Sequence, residues 1–375
     1  MKIAVDARRL ALQPGSSHCR YLAGMLPHWQ NDQRVREVVL VMPWNARDVT
    51  LPDEVSKLSK VSLEYGVRCP RLRSAIPYEL MYQQWAIPKV IRRTRPDVFL
   101  STFHMCPTVS WGVPVVTTIH DMCPLQERIT SRERLIWREY SRFQFLSARM
   151  KSRRLICVSK STAAALRQYA PSTADRIRVV YNGFDVPPAG AVSSTTEGDL
   201  LWVGESGYRK NPELAFATFS ELRKDRPQLK MVAVVPARVV EEMRALAITA
   251  RVEQAVEFRS HLTDAELDAA YRLAGALIVP SRCEGFGYPL LEAMCRGLPA
   301  VGYRKTPALE IVGPCHPLPD SLDAEEFART LGPLLDMRGE ARLAMSGKLV
   351  ERAGMFSTER MADETITVLA EAANR

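Results

Sequence analysis

Glu284 and Glu292 bracket the segment Gly285-Phe286-Gly287-Tyr288-Pro289-Leu290-Leu291, and this spacing of types suits an anion held between two sets of hydroxyls. The apolar run Ala276-Leu277-Ile278-Val279-Pro280 predicts a short buried strand just before it. Gly285 and Gly287 permit a tight turn, and Pro289 suits the first position of a helix, where its missing N–H is no loss. A helix start offers unpaired N–H groups and the positive end of the dipole, which favours a phosphate. Carboxylates beside that phosphate would repel it, so Glu284 and Glu292 are better placed to accept hydrogen bonds from hydroxyls. A phosphate flanked by hydroxyls describes a nucleotide-sugar. An ordinary strand-to-helix turn with two surface glutamates fits the same residues.

Two further stretches carry groups able to do chemistry. Arg209 and Lys210 follow the run Val203-Gly204-Glu205-Ser206-Gly207-Tyr208 and precede a helical apolar pattern at Leu214, Ala215, Phe219 and Leu222. A guanidinium fork beside an ammonium point charge suits a diphosphate and would offset charge growing on a leaving nucleotide. Cations at a helix start oppose its dipole, which argues for an anionic partner over a solvated pair. His120-Asp121 ends the apolar run Pro114–Ile119, and open α/β sheets bind ligands at that end of their strands. His120 reads as a sugar contact and not a nucleophile, with Asp121 ordering the loop.

The segment from Ser281 to Val301, with its E-x7-E pattern, resembles glycosyltransferase family 4. So do the Arg209-Lys210-Asn211 stretch, His120-Asp121, Asp6-Ala7-Arg8, Arg20-Tyr21 and Tyr181-Asn182-Gly183-Phe184-Asp185. The resemblance implies the GT-B fold, two Rossmann-like α/β domains facing a cleft, and transfer with retention at the anomeric carbon. It implies neither metal nor cofactor, only a nucleotide-sugar donor that is GDP-, UDP- or dTDP-linked. By the same resemblance, Glu284 contacts hydroxyls of the donor sugar and Glu292 those of the ribose. Gly285, Phe286 and Gly287 bring backbone N–H groups to phosphate or sugar, Arg209 and Lys210 hold the diphosphate, and His120 lies near the donor sugar and acceptor. The Arg-Lys-Asn form looks most like mannosyl- and rhamnosyltransferases of bacterial surface polysaccharides, including lipopolysaccharide.

The first loop departs from that pattern. Family members carry a glycine-rich stretch before Arg-Tyr, where backbone approaches the donor phosphate. Here Pro14-Gly15-Ser16-Ser17-His18-Cys19-Arg20-Tyr21 keeps Gly15 as a donor contact but has His18 and Cys19 where small residues are expected. A Cβ there blocks close approach, whereas the His18 imidazole would replace a lost N–H contact. A catalytically silent relative that binds a nucleotide-sugar or a partner protein is therefore the second hypothesis.

The elements that must position these residues alternate along the chain. Apolar runs at 3–5, 38–42, 98–100, 115–119, 155–158 and 177–180 alternate with helical stripes, as do runs at 200–203, 231–235, 256–258, 277–279 and 299–301. Such alternation predicts parallel sheets with helices on both faces. Tyr78 to Arg93 reads as a helix interrupted at Pro88, and Ser131 to Arg149 as a long basic helix. The Pro-, Gly- and Ser-rich stretch 186–199 marks a linker. The expected division is an acceptor-side domain at 1–185, a nucleotide-sugar domain at 200–355, and a terminal helix within 356–375 that crosses back to the first.

Composition narrows the function classes. The 375 residues are 46% hydrophobic, enough for two cores, and contain no run of 18 apolar residues that would span a membrane. The expectation is a cytoplasmic protein working at the inner face of the membrane. Eight cysteines include no C-x-x-C pair, and no D-x-D triplet occurs, which leaves a zinc site or a metal-dependent transferase without its motif. Residues 1–190 carry 29 Lys and Arg against 15 Asp and Glu, whereas 191–375 carry 22 against 27. The basic half suits an anionic membrane surface or a glycan or lipid-linked acceptor with phosphate; solvated helices account for the same arginines. Nucleic acid is not expected, because aromatics do not interleave with the arginines. A glycoside hydrolase would use two carboxylates but has no need of Arg209 and Lys210.

Overall fold

The computed structural model describes residues 1–12, 16–66, 75–126, 132–185 and 198–374; Gly15 and most of the expected linker, 186–197, lie outside the described residues. The chain forms two compact units, Met1–Gly183 with Ser357–Arg375, and Phe184–Phe356.

In the first unit the strands are β1 (Lys2–Asp6), β2 (Glu37–Met42), β3 (Val61–Tyr65), β4 (Val98–Ser101), β5 (Val115–Ile119), β6 (Ser152–Cys157) and β7 (Ile177–Val179). They lie in the order β3-β2-β1-β4-β5-β6-β7, and every pairing is parallel. Val5 pairs with Leu40 on one side and Leu100 on the other, so β1 is central, and its middle residues are buried and apolar. Strands buried on both faces read as continuous apolar runs, which is why β1, β2, β4 and β5 were legible, whereas the half-buried edge strand β3 shows no such run. Successive strands run outward from β1 in one direction and then from β4 in the other. The reversal between them is the place where such sheets open a crevice.

The helix Ser17–Asn31 buries Leu22, Met25, Leu26 and Trp29 against β1 and β2. The terminal helix Thr358–Ala373 closes the same core with Met361, Ile366 and Leu369, and the Trp29 indole donates to the Ala362 carbonyl at 3.2 Å. Gly183 is required by this docking: a Cβ would stand 2.5 Å from the Ser357 carbonyl oxygen. It serves close packing and not a positive-φ turn.

The helix expected over 78–93 is three pieces: Ala75–Met81, a π turn at Tyr82–Ala86, and Ile87–Thr94. Pro88 has no N–H to return to the carbonyl four residues earlier, and the widened turn absorbs the defect. The Gln84 side chain uses the bulge, donating to Cys106 O at 3.1 Å and accepting from Thr108 N at 2.8 Å.

In the second unit β8 (Leu200–Val203), β9 (Met231–Val234), β10 (Val256–Arg259), β11 (Ala276–Val279) and β12 (Ala300–Gly302) form a parallel sheet in the order β10-β9-β8-β11-β12. Ile278 of β11 pairs with Trp202 of β8, and the topological reversal falls between these two strands. Their outgoing loops carry Arg209-Lys210 and Glu284.

Candidate active site

Two distant stretches are stitched together at the ends of β8 and β11. The Asn211 side-chain amide donates to Pro280 O at 3.1 Å, and its oxygen accepts from the Arg282 guanidinium at 2.8 Å. Arg282 N donates to Arg209 O at 2.9 Å, which locks one loop to the other through the backbone. Asn211 adopts φ 52°, a left-handed conformation that asparagine tolerates better than most residues, and begins the helix Pro212–Asp225.

This stitching places Glu284 between two cations. Its Oε1 accepts from Lys210 Nζ at 2.8 Å and its Oε2 from Arg209 at 3.2 Å, with the carboxylate only 8% exposed. Burial alone would push the Glu284 pKa up, but the charges of Lys210 and Arg209 outweigh it and hold the carboxyl below its usual range. Arg209 also reaches Glu205 at 3.7 Å. The structure therefore brings Arg209, Lys210 and Glu284 into one ion cluster. Adjacent cations at the head of this helix find an anion within the chain.

Glu292 sits elsewhere. It is buried in the helix Tyr288–Met294, and its Oε2 accepts from the Tyr271 hydroxyl at 2.7 Å. Arg296 donates to the Glu292 backbone carbonyl at 2.7 Å and to Asp268 at 2.7 Å, while its guanidinium lies 5.0 Å from the centre of the Tyr271 ring. Between the two glutamates, Gly287 holds φ 101°, where an L side chain is strained, and caps that helix. The Phe286 ring is buried and meets Tyr288 and Phe356 edge-on at 5.6 and 6.0 Å, so its side chain anchors the loop. Gly285 stands between Glu284 and this anchor.

His120 lies in the first unit at the end of β5, within a group of rings. His18 meets it edge-on at 4.5 Å, Tyr21 at 5.0 Å, and His104 stacks on Phe103 at 4.4 Å. The hydrogen bonds fix the tautomers. His120 Nε2 faces the Thr102 carbonyl at 2.9 Å and must donate to it, which leaves Nδ1 without a proton and able to accept. His104 Nε2 accepts from the His120 backbone N–H at 3.1 Å and so carries no proton. Burial lowers the His120 pKa to about 4, with the Thr102 bond opposing the shift and Arg9 adding to it. His18 and His104 are likewise pushed down by burial and by the neighbouring imidazole. Asp121 accepts from Cys123 N at 3.0 Å and orders the turn after β5.

The altered first loop has a local explanation. Ser16 caps the helix Ser17–Asn31 by accepting from Cys19 N at 3.2 Å, and the Cys19 side chain is buried in the core. The Cys19 amide is thus engaged within the chain, while His18 turns its ring to His120.

Tyr271, Asp268, Arg296 and Arg282 were not singled out from sequence. Arg282, two residues before Glu284, carried the only local signal. Tyr271 and Asp268 share a helix face three residues apart, but their partners, Glu292 and Arg296, lie on and just after another helix, and one sequence does not display that pairing.

Residues 29–186 match the family described as Glycosyltransferase Family 4, and residues 189–349 the one described as Glycosyl transferases group 1. The chain belongs to the family 4 glycosyltransferases. The D-inositol 3-phosphate glycosyltransferase of Salinispora tropica is 30% identical over 70% of this chain and 60% of its own length. The O-antigen chain mannosyltransferase of Salmonella typhimurium is 25% identical over 68% of this chain and 66% of its own. The alignments thus take in about two-thirds or less of these relatives. Among solved structures, Anabaena HepE in complex with UDP and glucose superposes with a TM-score of 0.71 at 16% identity, covering 99% of this chain and 100% of that one. That likeness establishes the GT-B fold for this family 4 chain.

Proposed function

We propose that this glycosyltransferase moves a hexose, mannose or rhamnose before others, from a nucleotide-diphospho sugar to a hydroxyl of a glycan or lipid-linked acceptor, with retention. The observation that carries the reading is Glu284 held between Arg209 and Lys210 at the reversal of the second sheet. In this reading the diphosphate enters the cluster and shares the two cations with Glu284. Charge developing on the leaving phosphate is then met by groups already in place, so little reorganisation is required. Glu284, kept ionised, accepts from hydroxyls of the sugar, and Glu292, oriented by Tyr271, from those of the ribose. Gly285, Phe286 and Gly287 supply backbone contacts. In the first unit the neutral His120 offers Nδ1 to a sugar hydroxyl. The mannosyltransferase among the relatives supports the sugar class, and the UDP bound by HepE supports a nucleotide-linked donor.

The test supplies GDP-mannose, dTDP-rhamnose and UDP-hexoses in turn and follows release of the nucleoside diphosphate with glycan acceptors. The reading predicts turnover with one donor class and a product of unchanged anomeric configuration by NMR. Inversion would refute the retaining step. Nucleotide binding with no turnover on any donor would favour the silent relative, the reading to which His18 and Cys19 gave rise.

A further inference from the structure

The turn Ser110–Val113 of the first unit breaks a local rule without serving the core. Val113 N donates to Ser110 O at 2.9 Å, and both central residues have positive φ, 53° at Trp111 and 81° at Gly112. That is the pattern of a type I′ turn, whose central positions favour Gly, Asn and Asp. A bulky ring at the first of them strains the backbone. The indole is nevertheless 56% exposed, so packing does not offset the strain. Arg95 repeats the choice. It follows the helix Ile87–Thr94 with φ 45°, where glycine or asparagine is usual, and it too is exposed. Among the described residues five non-glycine residues have positive φ, and these two line the same cleft. Strained conformations of this kind gather at ligand sites.

The cleft holds about 570 Å³, the size of a small-molecule site, and its lining includes Arg92, Arg95, Asp97, Trp111, Pro114 and Arg153. It opens at the starts of β4, β5 and β6, since Asp97 and Pro114 directly precede the first two and Arg153 is the second residue of the third. Parallel strands all point one way, so His120 stands at the far end of β5, roughly 20 Å along the strand from Pro114. The lining is cationic. Arg92 lies 5.0 Å from the centre of the Trp111 ring, and Arg153 donates to Asn374 O at 2.7 Å. Among the described residues no acidic side chain pairs with Arg92, Arg95 or Arg153. Asp97, the carboxylate on the lining, instead accepts from Lys2 N at 2.6 Å.

An exposed indole beside guanidinium groups suits a molecule with a C–H face and an acid group. The negative face of the indole attracts the C–H groups of a pyranose, and a carboxylate or phosphate on that ring meets the guanidinium forks. The lining has no second aromatic to take a neighbouring base, which sets single-stranded nucleic acid aside. We propose that this cleft binds an acid-bearing sugar residue of a glycan, a uronate or a phosphosugar. Trp111 is the platform, and Arg92 and Arg95 are partners of the acid. As a hold on the glycan being extended, remote from the reacting end, it rests on the transfer proposed above.

Proton–nitrogen NMR of the whole protein reads the indole N–H signals of its six tryptophans, and the signal missing from Trp111→Asn identifies that of Trp111. Mannose 6-phosphate and glucuronate are titrated in turn, with mannose, inorganic phosphate and dTMP beside them. At least one acid sugar is expected to move the Trp111 signal saturably, and the stronger of the two names the acid. Mannose and inorganic phosphate should bind about tenfold more weakly or worse, and Arg92→Gln/Arg95→Gln should weaken the acid sugar about tenfold. Added salt should weaken it too, because these charges are exposed. Trp111→Asn suits the left-handed turn and is expected to melt no lower than the wild type. Three results would overturn the proposal. Trp111 responds to neither acid sugar, inorganic phosphate or dTMP moves it as readily, or Trp111→Asn melts well below the wild type, which would make the ring part of the fold. The signal needs neither donor nor turnover. Silence at Trp111 in an active transferase refutes the cleft alone, and a responsive Trp111 in a protein that turns over no donor refutes the transfer alone.

Discussion

At the scale of single residues, the decisive feature is one carboxylate with two cations. Lys210→Ala leaves Glu284 with Arg209 alone and, on the proposed reading, removes a charge from the diphosphate. Loss of one preorganised donor to developing charge costs about 10²-fold or more in kcat, and steady-state release of nucleoside diphosphate measures it. Glu284→Gln keeps the shape and removes the charge; it is predicted to lower kcat/KM and, because it leaves Arg209 and Lys210 without their buried counter-ion, to lower the melting temperature as well. The histidine group gives a pH prediction. His120 titrates near 4 in the fold against about 6.5 unfolded, so the unfolded chain binds more protons between those values. Stability is full above about pH 6.5 and falls as pH drops toward 4, by up to about 3 kcal/mol for this group. His18 and His104 shift in the same direction and add to the loss. Denaturant titrations across that range check it, and His104→Gln, which still offers an acceptor to the His120 N–H, is expected to flatten the slope.

At the scale of elements, the loops after β8 and β11 act as one because Asn211 and Arg282 join them. Asn211→Ala deletes both side-chain bonds, leaves the buried Pro280 carbonyl short of a donor, and should cost about 1–3 kcal/mol. A comparable fall in nucleotide affinity should accompany it, since Arg209 and Lys210 lose their fixed base; calorimetry and melting separate the two effects. The strands were legible because buried parallel strands are unbroken apolar runs, Val38–Met42 and Leu277–Val279 among them. The E-x7-E pair, Arg209-Lys210 and His120 were legible by type and position. The joining of Glu284 to the cations was not, because 74 residues separate it from Lys210 and only the pairing of β8 with β11 brings them together. The π turn at Tyr82–Ala86 was also hidden. Pro88 announced a defect, but whether a helix breaks, kinks or widens there depends on what receives the freed groups, and Cys106 and Thr108 are remote in sequence.

At the scale of the whole molecule, the end of the chain belongs to the first unit. Residues 357–375 contribute Met361, Ile366, Val368 and Leu369 to its core. At about 1.5–3 kcal/mol for each buried side chain, their removal forfeits roughly 6–12 kcal/mol, comparable with the stability of an entire domain. A chain ending at residue 356 is predicted to lose the cooperative unfolding of the first unit, seen as loss of hydrogen-exchange protection in β1 and β2. The second unit, whose core is its own, is predicted to keep its protection and its nucleotide binding.

The central claim is that the Arg209, Lys210 and Glu284 cluster, together with Glu292 of the same unit, receives a nucleoside diphosphate. Thermal melting of the pure protein against GDP, UDP, dTDP and ADP, with Lys210→Ala and Glu292→Ala in parallel, tests it most directly. The account predicts that one nucleotide raises the melting temperature of the wild type and leaves both variants unmoved. A protein that none of the four stabilises, or variants that respond as the wild type does, would contradict it.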